Sequence, residues 1–148
     1  MNRRGAGLRV LVTAGAEKQS LAAVRSLGRS GAVVEVLETK PDAPAFRSRY
    51  CRTRHVSPPA TDRAAYVAFL LSRLQASRYT TLLACDDLSA AYASEERDRL
   101  GPHTTLLLPS PESFRTATDK AALVAFAGKA RVPVPRTLHP TSVGEAER

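Results

Sequence analysis

The chain has 148 residues, 43% of them hydrophobic and 24% charged, the size and balance of one soluble globular domain rather than of a fibrous or disordered protein. No apolar run is long enough to span a bilayer, and the basic opening MNRRGAGLR leads into an apolar run too short for a signal peptide, so a cytoplasmic protein is expected. The net charge of +8 would suit a nucleic-acid binder, but the positive residues are overwhelmingly arginines spread over every expected helix, and a solvated basic surface accounts for them better.

Residues 9–13 (RVLVT) and 32–37 (AVVEVL) are β-branched runs separated by a helical pattern in which Leu21, Val24 and Leu27 form one apolar face. Gly31 stands where a left-handed helix stop is wanted, so the three segments read as a β-α-β unit with a right-handed crossover and parallel strands. A basic loop follows, with Arg47, Arg49, Arg52, Arg54 and His55 around Tyr50; it is the best local support for a nucleic-acid contact. Residues 54–57 predict a short third strand closed by Pro58 and Pro59. Thr61 or Asp62 then caps a helix with Tyr66, Phe69, Leu70, Arg73 and Leu74 on one stripe, the Arg73 stem lying along the apolar surface.

Residues 81–85 (TLLAC) predict a fourth buried strand, followed by a helix that starts at Asp86 and Asp87 and ends at Gly101; residues 105–108 predict a fifth. Strands alternating with helices indicate an open, mainly parallel α/β sheet of four or five strands, covering residues 1–109. Beyond it, Ser110 and Pro111 start a short helical turn, and a second helix begins near Asp119 with Leu123, Phe126, Ala127 and Ala130 as its apolar face. Val132-Pro133-Val134-Pro135 forces the chain into an extended segment, and the pattern from Thr141 reads as a further helix that breaks off at Arg148.

In such a sheet, ligands sit beyond the carboxyl ends of the strands. The loop after the first strand, TAGAEKQS, lacks a dinucleotide fingerprint: counting from Gly15, the next two glycine places hold Glu17 and Ser20, although Glu38 could stand for the acid that binds a ribose. Gly128-Lys129 is no Walker loop, because Leu123 stands where the leading glycine belongs. Asp86 and Asp87 are the only paired carboxylates at a strand end; capping their own helix is the simpler role, and holding an amine or a metal-bound substrate the functional one. His55, His103 and His139 are dispersed, and Cys51 and Cys85 have neither metal-site nor disulfide spacing, so plain thiols are expected.

The segment PSPESFRTATDKAALVAFAGKARVPVPRT resembles the junction of ATP-grasp ligases at which a Rossmann-like N-terminal domain meets the ATP-grasp module: an Asp-Lys pair, an amphipathic helix, then Pro-x-Pro. The upstream stretch RVLVTAGAEKQSLAAVRSLGRSGAVVEVLE and the SRYCR segment are similar to the N-terminal domain of the carbamoyl phosphate synthase-like and carboxylate-amine ligase members. The resemblance implies a pre-ATP-grasp domain over residues 1–109, and over 110–148 a linker helix with the start of an ATP-grasp module that stops before its catalytic core. It implies ATP and Mg2+ as cofactors of the whole protein, with none held tightly by this portion, and small carboxylate and amine substrates. By the same resemblance Lys120 would meet the ATP phosphates; Gly15 in the first loop and Asp86 and Asp87 at a strand end are the candidates for the substrate side, and whether the chain forms a homodimer stays open. Arg131 departs from the family pattern, which commonly has glycine there, and would bear about 1 kcal/mol of strain if left-handed.

Overall fold

The computed structural model describes residues 7–138, 140 and 142, so the helix start expected from Thr141, and His139, lie outside the described residues. The chain divides into a sheet unit ending at Ser110 and a second unit beginning at Pro111. In the first, strands β1 (Arg9–Val12), β2 (Val33–Glu38), β3 (Cys51–Val56), β4 (Thr81–Leu83) and β5 (Thr105–Leu106) form one sheet in the order β3-β2-β1-β4-β5. Every pairing is parallel. Between them run helices α1 (Lys18–Arg29), α2 (Arg63–Ala76), α3 (Asp87–Glu95) and α4 (Arg97–Leu100), with a 3-10 turn at Pro44–Arg47.

The period-2 alternation of the strands divides the core between the two faces of the sheet. Val10, Val12, Val34 and Val36 turn to one face and pack with Val24 of α1 and with Phe46 of the 3-10 turn. Leu11, Leu37 and Leu82 turn to the other and pack with Tyr66, Leu70 and Leu74 of α2, the stripe expected from the sequence. Helix α1 stops at Gly31, whose φ of 97° is the left-handed stop predicted for it. Asp62 caps α2 by accepting the Ala65 N–H at 3.1 Å. The stem of Arg73 does not merely lie along the surface: its guanidinium sits 5.2 Å from the centre of the Phe69 ring.

Four element ends differ from expectation. β3 begins at Cys51 rather than at residue 54, because the edge strand continues back through Arg52 and Thr53 past an irregularity in its pairing with β2. β4 and β5 end at Leu83 and Leu106, two residues early; the Cys85 N–H leaves the ladder to bond the Thr13 hydroxyl at 3.1 Å. The helix from Asp87 breaks at Glu96 into α3 and α4 before reaching Gly101. After β5 the chain is held by Arg97, which donates to the carbonyls of Leu108 and Pro109 at 2.6 and 2.7 Å.

One charged group is buried in the sheet. Glu35, 1% exposed, points to the α2 face from β2 and is met by Arg9 of β1, by His55 of β3 at 2.7 Å and by the Tyr79 hydroxyl at 2.7 Å. Burial alone would push this carboxyl up; hydrogen bonds from His55, Tyr79 and Arg9, with the Arg9 charge, hold it below its ordinary value.

The second unit contains α5 (Pro111–Thr118) and α6 (Lys120–Lys129). Asp119 caps α6 by accepting from the N–H groups of Ala121 and Ala122 at 2.9 and 3.0 Å. Arg131 follows with φ 57°, the left-handed conformation in which glycine would be unstrained, and residues 132–138 have no regular structure.

Candidate functional site

The strand order reverses at β1, whose neighbours β2 and β4 lead away in opposite directions, and a crevice opens there beyond the carboxyl ends. The loop after β1 turns sharply because Ala14 adopts φ 53°, the left-handed region. Gly15 then passes so close to β2 that an added Cβ would lie 2.7 Å from the Val36 side chain and 3.2 Å from that of Glu38. Its N–H donates to the Leu37 carbonyl at 3.3 Å and its own carbonyl accepts from Ala45 at 3.1 Å. The glycine is therefore needed for close approach of backbone to backbone.

Three small hydroxyls weld this loop to the start of α3. The Thr13 and Ser89 hydroxyls share a buried hydrogen bond of 2.7 Å, and Ser20 donates to the Thr13 carbonyl at 2.9 Å. Asp86 accepts from both the N–H and the hydroxyl of Ser89, so it does cap its helix. Gln19 closes the set by donating to the Cys85 carbonyl at 2.8 Å. Thr13, Ser20 and Ser89 were not legible as site residues in the sequence. Their only signal is a run of small polar residues at strand and helix ends, which is common everywhere.

The crevice has a volume of about 200 Å³, and its walls include Glu17, Glu38 and Asp86, with Lys40, Ser57 and Tyr66. Three carboxylates face one lysine, so the lining is acidic. Glu38 is engaged with the backbone: one carboxylate oxygen accepts the Ala16 N–H at 2.9 Å and the other accepts those of Thr39 at 2.7 Å and Lys40 at 3.1 Å. An N–H of the first loop that could serve a phosphate is thus taken by an internal carboxylate. Burial raises the Tyr66 hydroxyl well above its ordinary value, and the charges of Asp86 and Glu38 raise it further, so it stays protonated as a neutral donor. The Cys85 thiol is likewise raised, first by burial.

Of the residues singled out from the sequence, Asp86 lines the crevice, and Gly15 is buried beneath it while its neighbours Ala14 and Ala16 form the wall. Asp87 is exposed in the first turn of α3 and is not part of the lining. Lys120 is the first residue of α6 in the second unit, exposed to solvent. Among the described residues, Cys51 and Cys85 are free, no group of three or more His, Cys, Asp or Glu is arranged to hold a metal ion, and no helix is long and apolar enough to cross a membrane.

No protein-family model matches the chain, and no curated protein matches it in sequence. Solved structures do share its fold. One is glycinamide-RNase-transformylase T from Mycobacterium tuberculosis, 21% identical with a TM-score of 0.64, covering 94% of this chain and 37% of that one. Another is N5-carboxyaminoimidazole ribonucleotide synthetase from Thermotoga maritima, 15% identical with a TM-score of 0.61, covering 94% of this chain and 35% of that one. Both are ATP-grasp enzymes, so the fold agrees with the resemblance read from the sequence. This chain spans little more than a third of the length of either.

Proposed function

We propose that the chain is the substrate-side sheet domain of an ATP-dependent carboxylate-amine ligase. The observation that carries this reading is the acidic crevice at the point where the strand order reverses, lined by Glu17, Glu38 and Asp86 against the single cation of Lys40. A surplus of carboxylates favours a ligand with a protonated amine over one with phosphates. The protonated Tyr66 hydroxyl offers a neutral donor to an oxygen of the same ligand. Because Glu38 already holds the Ala16 N–H, this loop has no open cradle for a pyrophosphate, which weighs against a free-standing dinucleotide-binding module.

In this reading the ATP-grasp core, beside which the domain would form an active site, works with ATP and Mg2+ to turn a substrate carboxylate into an acyl phosphate that the amine then attacks. The domain's own share is to bind and orient the amine and to keep its approach fixed, which converts a bimolecular encounter into a positioned one. Lys120, an exposed cation on a capped helix, would be this chain's contribution to offsetting the ATP phosphate charge in that active site. In this reading the crevice loop and Lys120 by themselves hold ATP weakly, and the chain alone catalyses no ligation.

Amide NMR of the chain titrated with a small primary amine such as glycinamide, and separately with ATP and NAD, tests this. The amine is expected to shift the amides of Ala16, Glu17 and Asp86 saturably, and Glu17→Gln to weaken it. Saturable micromolar binding of ATP or NAD at the same loop would overturn the reading in favour of a nucleotide-binding module.

A further inference from the structure

Away from that crevice, arginines far apart in the sequence converge. Arg25 and Arg29 lie one turn apart in the second half of α1, Arg47 ends the 3-10 turn, and Arg49 follows it; together with Ser48 and Tyr50 they line a surface cleft of about 370 Å³. No acidic residue lines the cleft, and among the described residues none of these four arginines makes an ion pair. Four unneutralised guanidinium groups repel one another, so the arrangement opposes its own compactness unless an anion sits among them.

The cleft is also held in shape at some expense to the helix. Gly28 lies inside α1, although glycine is the poorest helix former after proline. An added Cβ there would lie 2.4 to 2.6 Å from the Tyr50 side chain, so the glycine lets Tyr50 lie directly on the helix backbone. Tyr50 in turn fixes Arg49: the guanidinium sits 4.8 Å from the ring centre and donates to the hydroxyl at 2.7 Å. The succession Gly28, Tyr50, Arg49 thus fixes one arginine of the cleft that Arg25 and Arg29 also line.

We propose that this cleft is a binding site for a small phosphate-bearing anion. Guanidinium groups present paired donors that match phosphate oxygens, and several of them around one cleft suit a polyphosphate better than a single carboxylate. The volume falls within the range of about 300–1,000 Å³ usual for small-molecule sites. Four arginines from three separate segments meeting at one cleft, with no acidic residue among them, favour a compact anion that several guanidinium groups engage at once. The site is separate from the acidic crevice and stands whether or not the ligase reading does: α1 leaves the carboxyl end of β1, and Arg29 is its last residue before the turn into β2, toward the opposite end of the strands.

The probe is inorganic tripolyphosphate, titrated into the chain by calorimetry and followed by amide NMR. Saturable one-site binding is expected, with shifts at Arg25, Arg29, Ser48 and Arg49. Arg29→Gln and Arg47→Gln should each weaken it about tenfold, the loss of one charge-assisted contact, with the amide spectrum otherwise unchanged. Arg115→Gln, an exposed arginine of α5, should leave it unaltered. Absence of saturable binding, or an equal loss in Arg115→Gln, would overturn the proposal. So would binding of a single-stranded RNA that depends on Arg29 and Arg47 and that tripolyphosphate does not displace, which would assign the surface to nucleic acid.

Discussion

In the sheet unit Val10, Val12, Val34 and Val36 are at most 2% exposed, whereas in the second unit Leu123 is 44% and Phe126 59% exposed, and neither α5 nor α6 contains a buried residue. Both regions carry enough apolar residues to look like core in sequence. The difference lies in what covers them: the strands are flanked by helices on both faces of the sheet, while α5 and α6 have eight and ten residues, below the length of about 12–15 at which isolated helices hold in water. Apolar periodicity therefore reports that a face is available for burial. It does not report that the chain itself buries it, and the stability of the chain should reside almost wholly in the sheet unit.

Four tests probe that division. The largest effect is expected at Glu35: Glu35→Ala strands Arg9, His55 and Tyr79 around a void and should cost about 3–5 kcal/mol in chemical denaturation. The same carboxylate gives a pH signature. Its value in the folded chain is below the ordinary 4.5, so the folded state binds fewer protons there; the stability it contributes is fully present above pH 4.5 and is lost as pH falls through and below it. Glu35→Gln should flatten that part of the pH profile, and an unchanged profile would show that the acid sensitivity lies elsewhere.

Next, Gly28→Ala forces Tyr50 off α1 and should cost about 1–3 kcal/mol despite the better helix propensity of alanine, read as a lower thermal midpoint. Third, one chemical change made in each unit sharpens the contrast. Asp62→Ala removes the cap of α2 and should lower global stability by about 1 kcal/mol, while Asp119→Ala removes the equivalent cap of α6 and should reduce helical circular dichroism without moving the main transition. The smallest effect is expected at Phe126→Ser, within about 0.5 kcal/mol, because the ring is already mostly in solvent. A shift of several kcal/mol there would mean that Phe126 is buried in solution.

The sheet was legible because its central strands are β-branched runs and its punctuation is local: Gly31 as a left-handed stop, and Asp62 and Asp86 as caps. β3 was half missed, since its first half, Cys51, Arg52 and Thr53, falls in the basic loop of the sequence pattern, with Arg52 and Thr53 exposed on an edge strand. The acidic crevice was partly legible, because Asp86 and Glu38 stand at strand ends and Glu17 in the first loop. The clamp of Glu38 on three N–H groups was not, because it joins two loops that only the β1–β2 pairing brings together. The four-arginine cleft was hidden for a related reason: Arg25 and Arg29 lie on a helix, and nothing in a linear pattern seats Tyr50 on Gly28.

An open sheet carries two unpaired flanks, and each is an invitation to another chain. Here one flank is β3, with Arg52 and Arg54 exposed along it, and the other is β5, only two residues long. A second copy adding a strand beside β3 would set arginine against arginine, and β5 offers too short a template to hold one. The same arginines that make the surface basic thus guard the fold against growing into fibrils by strand addition.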